Sequence, residues 1–140
     1  MINYNAASMI SKIRESVNKM ITVELENNGI KDIGSTHGDI LSFLYSSDGS
    51  TVRKITEKIN RTQPTVTVLV DKLELLGYVK RIKSEEDRRV TIVRLTDKGK
   101  QLEPIFRKIS SQLNEIIYDG LTNDQKEQLE FLLKRILARF

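Results

Sequence analysis

A helix that runs directly into a basic hairpin occupies the middle of this 140-residue chain and restricts its possible folds more than any other feature. The helical part is Thr62-Gln63-Pro64-Thr65-Val66-Thr67-Val68-Leu69-Val70-Asp71-Lys72-Leu73-Glu74-Leu75-Leu76-Gly77. Thr62 is a start signal, Pro64 sits in the first turn where a missing N–H costs nothing, and Gly77 is a stop signal. The hairpin follows at once. Tyr78 to Ser84 reads as a strand, Glu85-Glu86-Asp87-Arg88 as a polar tip, and Arg89 to Leu95 as the returning strand. Such a pair can fill a major groove of duplex DNA with its helix while the hairpin reaches the adjacent minor groove.

The flanking segments read as helices. Ile10, Ile13, Val17, Met20 and Ile21 recur at helical spacing over roughly residues 5 to 27, and Asn28-Gly29 ends that run with a glycine suited to a left-handed cap. A loop containing Asp32, Gly34 and Ser35 follows, and Thr36 is the expected cap of a second helix carrying Ile40, Leu41, Phe43 and Leu44. Residues 46 to 50 stop that helix. Thr51 caps a short helix from Val52 to Ile59, Asn60-Arg61 makes the turn, and Thr62 opens the next helix. Short helix, tight turn and longer helix is helix-turn-helix spacing. After the hairpin, residues 96 to 99 lead into a long helical stretch from Leu102 to Ile117, with Pro104 near its start as a candidate bend. Asp119-Gly120 breaks the pattern, and Thr122 restarts it with Gln125 as a capping-box partner. The last helix places Leu129, Leu132, Leu133, Ile136, Leu137 and Phe140 on one stripe.

The expected fold is mainly α with a small β-hairpin wing, a winged helix-turn-helix flanked by N- and C-terminal dimerisation helices. The length suits one domain over residues 1–140, with the DNA-binding lobe over about 36–99 and dimerisation helices over about 1–30 and 100–140. The terminal apolar stripes are longer than the central lobe can cover. They pack either within one chain or against a second copy, and a homodimer is the better use of them.

Charge is unevenly placed. Residues 50 to 100 carry 13 Lys/Arg against 7 Asp/Glu, a balance of +6, whereas the rest carries 10 against 12, or −2. A basic centre between mildly acidic ends is the footprint of a nucleic-acid binder, the plain alternative being clustering on a solvated face. The absence of cysteine excludes disulfides, thiolate metal sites and thiol redox sensing, and it fits a reducing cytoplasm. The first residues lack the basic-then-apolar order of a signal peptide, and no apolar run approaches a membrane span, so the expected location is cytoplasmic. His37 is the only histidine. Asp39 lies near it in sequence, but no serine sits in a nucleophile-elbow context, and neither a phosphate loop nor a dinucleotide fingerprint occurs. An enzyme is not expected, nor a cofactor, nor a His-rich zinc site.

On the central helix, a 100° step per residue places Val66, Leu69, Val70 and Leu73 on the inward side. Pro64, Val68, Asp71, Lys72 and Leu75 lie opposite, flanked by Thr65 and Thr67. Thr65 and Thr67 can hydrogen-bond to bases or phosphates, Gln63 can take adenine bidentately, and Val68 suits a thymine methyl. Lys72 is placed for phosphate, and free N–H groups at the helix start, beside Thr62, are phosphate donors. In the hairpin, Val79 and Ile82 with Val90 and Ile92, and Leu95 as a further candidate, serve the core side, while Arg81, Lys83, Arg89 and Arg94 supply charge. Acidic residues at a DNA-facing tip need a reason. Asp87 accepting hydrogen bonds from Arg89 would hold that guanidinium extended, as a narrow minor groove requires; the plain alternative is an exposed turn with an inconsequential ion pair. The candidate DNA-binding set is therefore Thr62, Gln63, Thr65, Thr67, Val68, Lys72, Arg81, Lys83, Asp87, Arg88 and Arg89.

At these residues the chain resembles a known family. Asp87-Arg88-Arg89, five residues, then Leu95-Thr96-Asp97-Lys98-Gly99 is similar to the wing signature of the MarR family of bacterial and archaeal transcriptional regulators. Thr65-Val66-Thr67, Leu69 to Glu74 and Gly77 to Arg81 resemble that family's recognition helix and first wing strand. Gly120-Leu121-Thr122 with Leu129, Leu132 and Leu133 resembles its C-terminal helix. The resemblance implies a homodimeric repressor on a pseudo-palindromic operator, with Thr65 and Thr67 in the major groove, Arg89 in the minor groove and Asp87 positioning it. It also implies release by a small-molecule effector, for which an aromatic or amphipathic anion fits a chain without cysteine. Val68 departs from the family by standing where many members carry Arg, and Leu75 by replacing a polar residue. The rival reading is a winged-helix module that binds protein instead of DNA.

Overall fold

The computed structural model describes residues 1–140. Helices α1 (Ala6–Asn27), α2 (Ser35–Ser46), α3 (Val52–Ile59) and α4 (Gln63–Leu75) precede the hairpin, with a two-residue strand β1 (Ser50–Thr51) before α3. The hairpin is β2 (Val79–Lys83) and β3 (Thr91–Leu95), and α5 (Asp97–Gln101), α6 (Glu103–Tyr118) and α7 (Asn123–Leu137) follow. The architecture is mainly helical with a small antiparallel sheet, as the sequence pattern implies. No helix is long and apolar enough to cross a membrane.

Local chemistry sets most boundaries. Gly29, at φ +81°, ends α1: its N–H reaches Glu26 O and the Ile30 N–H reaches Leu25 O, the paired bonds of a Schellman cap. The Thr51 hydroxyl accepts the Lys54 N–H at 3.1 Å and opens α3, and Asn60 takes the left-handed conformation that closes it. Thr122 and Gln125 exchange both bonds of a capping box at the head of α7.

Four sequence expectations need correction. The residue that caps α2 is Gly34, not Thr36, which lies inside the helix; the His37 Nδ1 accepts the Gly34 N–H at 3.2 Å. The sheet has three strands in the order β1-β3-β2, because Ser50 and Thr51 pair with Val93 and Ile92. Residues 97 to 101, expected only as a lead-in, form a helix of their own, α5, which ends at Leu102 ahead of α6, where Pro104 has no N–H to donate back. Lastly, the register pairs Val79 with Leu95 and Arg81 with Val93. Val79, Val93 and Leu95 are buried together, whereas Ile82, Val90 and Ile92 are only half-buried, with Ile82 and Ile92 opposed on the other face.

The chain divides into two compact units, Met1–Ile109 and Ser110–Phe140, the boundary falling within α6. In the first unit Leu25, Ile40, Leu41, Leu44, Ile55, Val66, Val70, Leu73 and Val93 are fully buried. This core joins α2, α3, α4 and β3 and so fixes the base on which α4 and the hairpin stand. In the second unit α7 has no buried residue.

Candidate nucleic-acid interface

Burial of Val66, Val70 and Leu73 turns the opposite face of α4 to solvent. That face presents Gln63, Thr65, Thr67, Val68 and Lys72, all exposed, with Val68 at 67%. Its first turn is ordered by its own side chains. The Thr62 hydroxyl accepts the Thr65 N–H and donates to the Thr65 hydroxyl at 2.9 Å, so Thr65 keeps its own proton for an outside acceptor. Thr67 instead donates to Gln63 O at 3.0 Å and offers only lone pairs unless that bond is given up. Pro64 has no N–H, the Thr65 N–H goes to Thr62, and the Val66 N–H goes to Thr62 O. Of the amides at the helix start, Gln63 is the one these bonds leave for a phosphate.

The wing tip is a built turn. The Ser84 N–H reaches Val90 O and the Val90 N–H reaches Asp87 O, both at 2.9 Å, closing the loop between β2 and β3. The Asp87 carboxylate accepts the backbone N–H, Nε and Nη2 of Arg89, each at 3.1 Å. The hydrogen bonds from the Arg89 side chain, then that from its backbone N–H, hold the Asp87 carboxyl below the usual carboxylate range. The clamp is therefore charged at neutral pH. It aims a guanidinium whose side chain remains 91% exposed. Arg88 beside it is exposed, and so is Lys83, whose Nζ donates to the Thr91 hydroxyl at 3.1 Å.

Arg81 lies apart from this exposed set. It shares the parity of Val79, so its side chain turns toward α4, where Nη2 meets Asp71 at 2.6 Å and Nη1 meets Glu74 at 2.7 Å. The side chain is only 24% exposed, and its charge is matched by two carboxylates. Alternation along the strand puts it on the helix side. Asp71 and Glu74, three apart on α4, were the sequence signal for that partner. His37, the lone histidine, serves as a helix cap. Its imidazole is pushed below its ordinary value by burial and then by Lys72, with Asp32 opposing.

A helix-turn-helix whose second helix is exposed along one face, followed by a wing with a clamped arginine, defines the winged helix-turn-helix class. The MarR family model matches residues 33–91, spanning α2 through the first residue of β3. The regulator YdgJ of Bacillus subtilis (strain 168) is 30% identical over 125 residues, 89% of this chain and 73% of that protein. The regulator YybA of the same organism is 27% identical over 114 residues, 80% of this chain and 76% of that one. A MarR transcriptional regulator from Methanosarcina mazei Go1 superposes with a TM-score of 0.83 at 27% identity, covering 99% of this chain and 91% of that chain. MepR of S. aureus, solved as a complex with DNA, superposes with a TM-score of 0.87 at 25% identity, covering 100% of each chain. The chain belongs to the MarR family. It is a transcriptional regulator and not an enzyme.

Proposed function

We propose that this regulator is a homodimeric repressor that grips a pseudo-palindromic operator with two copies of the reader. In each, α4 enters the major groove, with Gln63, Thr65, Thr67 and Val68 toward the bases and Thr62 and Lys72 toward phosphate. The wing enters the minor groove through Arg89, held by Asp87 and flanked by Arg88 and Lys83. Its DNA target places the protein in the cytoplasm with the chromosome. The observation that carries this reading is the Asp87–Arg89 clamp, three hydrogen bonds that spend a carboxylate on extending a guanidinium into solvent.

Release by a small anion is part of the same reading. A polar hollow of about 560 Å³ in the first unit brings Arg14, Lys58 and Arg61 together around Asp39. Arg14 already lies 3.4 Å from Asp39, so an entering carboxylate would compete with Asp39 for it. Arg61 directly precedes the cap of α4, which is where such competition would be felt.

The test is Arg89→Ala against a duplex selected from a random pool by the unmodified protein. Affinity is expected to drop by about 1–3 kcal/mol, and sedimentation should show an unchanged oligomer. Equal affinity for both proteins would remove the wing from the interface.

A further inference from the structure

The sheet order leaves β2 as an edge strand with one side unpaired. On that side the Arg81 N–H donates to Glu74 Oε2 at 3.2 Å, so an α4 side chain covers the strand edge. The Arg81 guanidinium then returns to the same helix, with Nη1 on Glu74 Oε1 and Nη2 on Asp71. Three hydrogen bonds thus bind one strand residue to the two carboxylates of α4. They stand away from the hairpin root, where Thr96 Oγ1 donates to Gly77 O at 2.5 Å and Lys98 Nζ to Leu76 O at 2.7 Å. The root ties make the hairpin start where it does. The Arg81 ties join it to the helix a second time, beyond the root.

We propose that Arg81 is a positioning residue: it locks recognition helix and wing into one rigid reader and makes no contact with DNA. The inference rests on the DNA-binding reading above and assigns a role within it. Withdrawing Arg81 toward a phosphate would leave Asp71 and Glu74 unpaired, and Asp71, 61% exposed, would then face the polyanion with its charge uncompensated. Keeping Arg81 in place gives both carboxylates a partner and offsets one of their two charges. Rigidity matters because helix and wing must engage neighbouring grooves together, and a hairpin free to swing would have to be ordered at the moment of binding.

The experiment measures affinity for the pool-selected duplex across a salt series, at temperatures where each variant is folded. Arg81→Gln is expected to weaken binding about tenfold, equivalent to about 1.4 kcal/mol. The slope of log affinity against log salt should stay unchanged, since no phosphate contact is lost; a lost contact would reduce it by about 0.9. Arg89→Ala should cost less in the Arg81→Gln background than in the unmodified protein, because a loosened wing has less to lose. A residue important only for folding would lower the competent fraction without that coupling. Adding Glu74→Arg to Arg81→Glu restores an ion pair across the same gap and should recover part of the affinity, including where the single variant folds poorly. A reduced salt slope, strict additivity with Arg89→Ala, or absence of rescue by the swapped pair would each overturn the assignment. An unmodified protein that selects no duplex would instead overturn the DNA-binding reading, and the role of Arg81 with it.

Discussion

At Gly99 the chain has no room for one added carbon. A Cβ there would run into the Tyr78 carbonyl oxygen, lie 3.1 Å from the carbonyl carbon and 3.3 Å from Leu95 Cδ2. The neighbours explain the close approach. Tyr78 O accepts the Thr96 N–H, Thr96 Oγ1 caps α5 through the Gly99 N–H, and the Tyr45 hydroxyl donates to Gly99 O at 2.7 Å. Lys98 crosses the Tyr78 ring at 4.4 Å on its way to Leu76 O. The run from Leu95 to Gly99, which carries part of the family resemblance, is therefore a lock at the base of the hairpin. Gly99→Ala is expected to destabilise the fold by about 1–3 kcal/mol through overpacking against backbone. Denaturant unfolding should show a lower midpoint at unchanged m value, and an unchanged midpoint would mean that α5 can move away from Tyr78 freely.

Among the elements, α2 has an unusual start, because a titratable ring stands in for a capping side chain. His37 Nδ1 accepts the Gly34 N–H only while it is unprotonated. Burial first, then Lys72, lowers the folded pKa, and Asp32 offsets part of this. The folded chain thus takes up this proton less readily than the unfolded chain. Stability from the neutral ring is fully present above the ordinary imidazole value of about 6.5 and is lost as pH falls from there through the folded value. Gln at this position keeps an acceptor and does not titrate. His37→Gln should therefore match the unmodified protein's thermal stability above neutrality and surpass it in acid. Parallel curves throughout would remove the cap from consideration. Elements differed in how far the sequence revealed them, and the reason is range. Thr51, Thr62 and Thr122 act on amides three residues away, so the starts of α3, α4 and α7 were readable locally. β1 was not, because two residues become a strand only by pairing with Val93 and Ile92 some forty positions on. The hairpin itself was legible, but its inner face was not, since Ile82 and Ile92 make an apolar pair on the outer face that masks the alternation. The same parity hid Arg81, whereas the Asp87–Arg89 geometry, two residues apart, was open to inspection.

For the whole molecule, the apolar residues that each unit leaves bare decide how copies assemble. Residues 110–140 form a unit below the roughly 40 residues at which a chain buries enough to be stable alone. Its α7 buries nothing, with Leu132, Leu133 and Ile136 at 51%, 45% and 40% exposure. The first unit, taken by itself, leaves Met9, Ile10 and Ile13 of α1 exposed as well. Apolar residues in such series mark an association surface, and a second copy of the chain supplies matching surfaces by symmetry. Sedimentation at micromolar concentration is therefore expected to give a dimeric mass. Combining Leu133→Glu with Ile136→Glu puts four like charges into a two-fold interface and should yield a monomer. Because the core of the first unit contains none of these residues, the variant should keep its helix-turn-helix and still bind duplex DNA weakly. Its salt slope should fall to about half, as one reader contacts half the phosphates. A monomeric unmodified protein would refute the dimer, while a variant that stayed dimeric would move the interface away from α7.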